Sequence, residues 1–136
     1  MTDHAATARI HEMMPLCATL GVRADTYDSE LVALSLDWAP SLCTSGGILH
    51  GGAVMALADS AGGACAFMNL PDAATATVSI ESKTNFLGAV KGGTITATAR
   101  LLHRGGSTIV VETSVSDDTG RLVAKVTQTQ MILRAR

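Results

Sequence analysis

Between Asp37 and Asp72 only one residue is of the types Asp, Glu, Lys or Arg, and it is Asp59. It lies in a run rich in Ala, Gly, Val, Leu and Met from Leu49 to Leu70, whose length suits one helix stopped by Pro71-Asp72. A helix with a solvent face ordinarily carries several charges along it. Burying a lone carboxylate is costly unless it is paired, hydrogen-bonded or protonated. Helical spacing puts Met55, Ala56, Gly62 and Gly63 beside Asp59. Three of these four are Ala or Gly, so the carboxylate looks over a low wall that a second molecule can approach. The opposite side, Leu57, Ala61, Ala64, Cys65 and Met68, is expected to face the core. A carboxylate so placed can act as a general base or as a nucleophile.

The segment Gly46-Gly-Ile-Leu-His-Gly-Gly52 leads into this helix. Glycines there allow close approach to the backbone. The first N–H groups of a helix are unpaired and carry the positive end of its dipole, which suits a developing oxyanion. His50 and Asp59 are nine positions apart. At about 100° per residue they fall on opposite sides of one helix, about 13 Å apart along its axis. One chain therefore cannot bring them to one reacting atom. Two antiparallel copies of the helix can, and they do so twice, which predicts a dimer with two equivalent sites.

The remaining elements must hold this helix. From Ala5 to Leu20, Ile10, Met13, Met14 and Cys17 recur at helical spacing, and Pro15 breaks or redirects the helix. Val22–Tyr27 and Leu31–Trp38 read as a hairpin turning through Asp28-Ser29. Four runs rich in Val, Ile and Thr follow the long helix: Thr75–Leu87, Thr94–His103, Thr108–Ser116 and Leu122–Leu133. The short breaks between them predict an antiparallel meander, with the long helix covering one face.

Composition narrows the function classes. A chain of 136 residues with 47% apolar residues makes one domain with a true core. Aromatics are 3% of it, so Val, Ile, Leu, Ala and Met must fill that core. A net charge of -2 gives no reason to expect nucleic acid. The N-terminus lacks the apolar run of a signal peptide, and Asp59 with its glycines interrupts the one stretch long enough to span a membrane. Cys17, Cys43 and Cys65 are odd in number and widely spaced, as expected of reduced thiols in the cytoplasm. No cluster has zinc-ligand spacing, and no G-x-S-x-G elbow is present. His4 and His11 are expected to face solvent, and His103 to end a strand.

The stretch Gly47-Ile-Leu-His-Gly-Gly-Ala-Val-Met-Ala-Leu-Ala-Asp-Ser-Ala-Gly-Gly63 resembles the signature of hotdog-fold acyl-CoA thioesterases of the PaaI-like (phenylacetate-pathway) branch. The likeness runs on through Thr77-Val-Ser-Ile-Glu-Ser-Lys-Thr-Asn-Phe-Leu87 and Leu102-His-Arg-Gly-Gly106 to Asp118-Thr-Gly-Arg-Leu-Val-Ala124. It implies an α+β hotdog domain over residues 1–136: a curved antiparallel sheet wrapped around one long helix, here with an extra N-terminal helix. It implies dimers joined sheet edge to sheet edge, and a homotetramer is expected. By the same resemblance Asp59 is the catalytic carboxylate, and His50 and Gly51 hold the thioester carbonyl. Ser79 or Thr77 is the hydroxyl beside the carboxylate. No cofactor is implied. Thr44 stands where many members carry Asn or Gln, and Gly88-Ala89 where many carry Arg-Pro. Thr44, Gly52, Met55, Gly62 and Gly63 are expected to line the substrate site. Arg104, then Lys91, are expected to meet the phosphates of CoA, with Lys83 and Arg134 as further candidates. A hydratase or dehydratase of acyl thioesters, and a non-catalytic acyl-CoA binder, are the alternatives.

Overall fold

A computed structural model describes residues 1–136. Helix α1 (His4–Met13) starts at Asp3, whose side chain accepts from the Ala6 N–H at 2.9 Å. Pro15 disfavours helical backbone at the residue before it, and Met14 adopts φ -131°, ψ 87°. The chain bends there, and Pro15 opens a second short helix, α2 (Pro15–Leu20), at a position where its missing N–H costs nothing. Gly21, at φ 78°, ends α2. The hairpin of β1 (Arg23–Tyr27) and β2 (Val32–Asp37) turns on Asp28, whose Oδ1 accepts from the N–H groups of Glu30 and Leu31, both at 2.9 Å. After a loop comes α3 (Gly51–Met68), then β3 (Ala74–Phe86), β4 (Thr94–Arg104), β5 (Thr108–Ser116) and β6 (Leu122–Arg134).

All six strands form one antiparallel sheet in the order β1-β2-β4-β5-β6-β3. This is the hotdog architecture, with one correction to the expected meander. Strand β3 is not beside β4. It lies at the far edge, paired with β6. The connection from Leu87 to Gly93 crosses three strand spacings, about 14 Å. Seven residues reach roughly 23 Å, so the crossing is short of full stretch. The Leu87 and Gly88 N–H groups donate to the Val123 carbonyl at 2.8 and 3.2 Å. Arg121 donates to the Ala89 carbonyl at 2.7 Å, and Leu49 N–H to the Val90 carbonyl at 2.8 Å. The crossover therefore closes the end of the sheet against the start of α3.

Helix α3 packs on β2, β3, β4, β5 and β6. Its buried side carries Leu57, Ala61, Ala64 and Cys65, as expected, and also Ala58, while Met68 is half-buried. Ala97 and Ala99 of β4 are also fully buried, so small side chains line both surfaces and no aromatic is needed to fill the gap. By length and composition α3 could cross a membrane, but the sheet wraps it as a core helix.

At its C-terminal end, α3 is capped by Arg104. The guanidinium donates to the Asn69 carbonyl at 2.8 Å and to the Leu70 carbonyl at 3.4 Å. The Asn69 amide donates in turn to the carbonyls of Cys65 at 2.9 Å and Ser29 at 2.8 Å. Arg104→Ala should therefore destabilise the fold by about 1 kcal/mol. A thermal melt should show Tm lower by roughly 3 °C. An unchanged Tm would mean that water replaces the guanidinium at no cost.

Candidate active site

Asp59 stands on the side of α3 that faces β3 and β6. Its carboxylate is exposed and belongs to no ion pair. Both of its protein hydrogen bonds fall on Oδ1. Gln128 donates its amide at 2.9 Å, and Ser79 its hydroxyl at 3.4 Å. Gln130 donates to the Ser79 oxygen at 2.6 Å. Ser79 and Gln130 are direct cross-strand partners in the β3–β6 ladder. The network is thus built by the strand pairing that the crossover creates.

Gln128 and Gln130 were not among the residues singled out from sequence. A signal for them exists. Val126, Gln128, Gln130 and Ile132 alternate along β6 and share its buried face. An amide on such a face needs a partner, and here the partners are Asp59 and Ser79.

Beside Asp59 and Ser79 opens a cavity of about 300 Å³, walled by Met13, Met14, Gly63 and Phe67, with Thr77 on its rim. The bend at Pro15 brings the two methionines there. Thr77 makes no hydrogen bond to Asp59, so within this chain Ser79 is the hydroxyl at the carboxylate. Gly63 lies in the wall of this cavity. Gly62 does not, which corrects the expectation. It is buried, and the space its side chain would occupy holds the Gln128 carboxamide. Met55 is exposed and lies outside the cavity.

The start of α3 is a separate centre. His50 is its N-cap, and Nδ1 accepts from the Gly52 N–H at 2.7 Å. A neutral ring used this way carries its proton on Nε2, pointing outward. Gly52 is bare because a Cβ there would stand 2.9 Å from Nδ1. The Gly51 N–H has no acceptor in the chain. Gly51 lines a second cavity of about 390 Å³ with Thr44, Phe86, Gly88 and Val90. A Cβ on Gly51 would meet the Phe86 ring at 3.1 Å.

The two centres touch the same strand at different points, Ser79 at one and Phe86 at the other. Seven residues of strand are roughly 23 Å, too far for one thioester group to bridge. Lys91 is exposed on the crossover next to Val90, whereas the Arg104 guanidinium is engaged at the other end of α3. His11 is tied down rather than free: its Nε2 lies 2.6 Å from the Val22 carbonyl.

The thiols near α3 are poor nucleophiles. Burial pushes the Cys65 thiol up to about 11. Burial also raises Cys17, opposed by a hydrogen bond to Ser60 and reinforced by the negative charge of Asp59.

Residues 46–124 match the family model of the thioesterase superfamily. The chain belongs to that family. A candidate esterase of Saccharolobus solfataricus is 32% identical over 117 residues, covering 86% of this chain and 82% of that one. A thioesterase-family protein of Silicibacter pomeroyi superposes with a TM-score of 0.86 at 30% identity, over 95% of this chain and 96% of that one. A mutant thioesterase of Pseudomonas aeruginosa gives 0.87 at 25% identity, over 95% and 94%. The protein is a hydrolase of the thioester-cleaving type.

Removing the Ser79 hydroxyl takes a donor from Asp59 and leaves the Gln130 amide, on a residue only 2% exposed, without its acceptor. Ser79→Ala should cost about 1–3 kcal/mol, read as a fall in Tm, and should lower turnover as well. A mutant as stable as the parent would remove Ser79 from the network.

Proposed function

We propose that the protein hydrolyses acyl-CoA thioesters, with Asp59 as the catalytic carboxylate and each site shared between two chains. The observation that carries this reading is an exposed carboxylate, held by Ser79 and Gln128, at the mouth of an apolar cavity. The acyl group enters the cavity walled by Met13, Met14 and Phe67. This wall accepts an aryl or a medium-chain acyl group, because methionines adapt to either. The carbonyl oxygen is received by the Gly51 N–H and the positive end of α3 in the partner chain, with His50 beside it.

Two routes are open to the carboxylate. As general base, it takes a proton from water as the water oxygen bonds to the acyl carbon. The C–S bond then breaks, and the CoA sulfur recovers the proton. As nucleophile, Asp59 bonds to the acyl carbon and expels CoA thiolate, and water cleaves the resulting anhydride. Turnover in isotopically labelled water tests the anhydride route: label appears in Asp59 if water attacks the Asp59 carbon of the anhydride, and the general-base route places none there.

Sharing is supported by the sheet edge. Strand β3 has no neighbour on its outer side, and Val78, Ile80 and Phe86 are exposed along it, with Leu87 exposed just beyond its end. A long apolar edge is ordinarily covered. Antiparallel pairing of two such edges about an axis near Ser82 and Lys83 sets Ser79 of one copy opposite Phe86 of the other. Asp59 then faces the second copy's Gly51. A homotetramer built from two such dimers is part of the proposal, as is residence in the cytoplasm, where three free thiols stay reduced. The CoA phosphates are met first by Lys91, which stands by the Gly51 cavity. Arg104 comes second, because its guanidinium already donates to Asn69 and Leu70. A hydratase needs an acid–base pair in one site, and no histidine bonds to Asp59 here.

Asp59→Asn should lower kcat by at least about a hundredfold with the fold intact, measured across a panel of aryl, short, medium and long acyl-CoAs. Subunit mixing tests the sharing. Gly51→Pro removes the proposed donor N–H at a position where helices accept proline. Mixing Asp59→Asn with Gly51→Pro chains should restore one working site of two. If subunits exchange and no activity returns, the site is not assembled between chains.

A further inference from the structure

Gln128 is 1% exposed, and its two amide atoms are treated differently by the fold. Nε2 donates to Asp59 at 2.9 Å. Oε1 is buried with no hydrogen-bond partner. A buried acceptor left unmade is a cost that the fold alone has no reason to bear. The carboxamide also takes the space above Gly62, where any larger residue would collide with it. A glycine in a helix interior is a second cost. Both costs are incurred at one point, and what they secure is a single hydrogen bond to Oδ1 of Asp59.

The direction of that bond matters. Gln128 and Ser79 both occupy Oδ1, and Oδ2 receives no bond from the protein. Reversing the Gln128 amide would set an oxygen against the carboxylate, so the ionised acid fixes the orientation of the amide as well. We propose that Gln128 is a positioning residue that aims Asp59: it holds Oδ1 so that Oδ2 is the atom presented to water or the thioester, and Gly62 is glycine to let it reach. This rests on Asp59 being the catalytic carboxylate. Gln128 touches neither substrate nor water in the reaction. It acts by narrowing the rotation of the carboxylate to the productive one.

The role has a signature that a structural role would not show. Gln128→Met keeps the length and apolar stem, removes the donor and removes the orphaned oxygen. It should lower kcat about ten- to a hundredfold with KM little changed, while Tm stays level or rises. A glutamine kept for packing predicts the reverse, with Tm falling and kcat preserved. Gly62→Ala supplies a second test that leaves Gln128 in place. It should lower kcat in the parent chain, because the added methyl displaces the carboxamide, and should lower it no further in a Gln128→Ala background. Asp59→Asn is measured alongside. If Asp59→Asn is inactive while Gln128→Met turns over at the parent rate, the positioning role is overturned and the carboxylate assignment stands. If Asp59→Asn remains active, both are overturned. Loss of Tm together with kcat in Gln128→Met, or additive losses in the Gly62→Ala, Gln128→Ala pair, would also overturn it.

Discussion

An ionised carboxylate on an apolar core helix survives only where donors or water reach it, and the open side of this fold is arranged around that demand. Asp59 needs a face of α3 that the sheet does not seal. The edge strand β3 leaves such a face, because it covers α3 from one side and has no neighbour beyond it. The donors come from β3 and β6 together. They meet only because the crossover from Leu87 to Gly93 sends the chain back to the middle of the sheet and leaves β3 beside β6. In a plain meander Ser79 would lie beside β4, where the alternation buries Ile95, Ala97 and Ala99 and offers no amide.

The same crossover also shapes the start of α3. Gly88 and Val90 wall the cavity at Gly51, and the Val90 carbonyl pins Leu49 just ahead of the helix. The glycines of this region divide by what fills the space they leave. Phe86 lies over Gly51, the His50 ring over Gly52 and Gln128 over Gly62, while nothing fills the space at Gly63. At three of them the missing side chain makes room for a neighbour within the chain, and only at Gly63 does that space stay open.

Much of this was legible in the sequence because it is local. Helical period and Pro15 place the α1–α2 bend, β-rich runs place each strand within a residue or two, and the isolation of Asp59 singles out the one carboxylate on α3. Strand order was not legible, because an edge strand beside β6 and one beside β4 share the same alternation and differ only in where a seven-residue link leads. The role of Gly62 was not legible for a related reason. Spacing along α3 places it near Asp59, but its true neighbour is Gln128, which is 66 residues away in sequence. Long-range pairing decides such contacts, and a helix period carries no information about it. Arg104 shows the same limit. A cation in a Gly-rich turn reads as an anion site, yet the sheet brings it to the bare carbonyls at the end of α3.

On the proposed function, the exposed edge ties assembly to activity. Strand β3 presents an unpaired ladder with Val78, Ile80 and Phe86 exposed, a surface that invites another strand. Left open, it would favour indiscriminate pairing. In the proposed two-fold dimer a partner strand covers those side chains and brings a second helix N-terminus towards each carboxylate. The two requirements select the same register, since only pairing about the middle of β3 sets Ser79 against Phe86 of the second copy. A strand slipped by two residues would still bury apolar area but would move the oxyanion donors about 7 Å along the strand from the carboxylate. In that dimer, side-chain identity along β3 has to satisfy packing and catalysis at once.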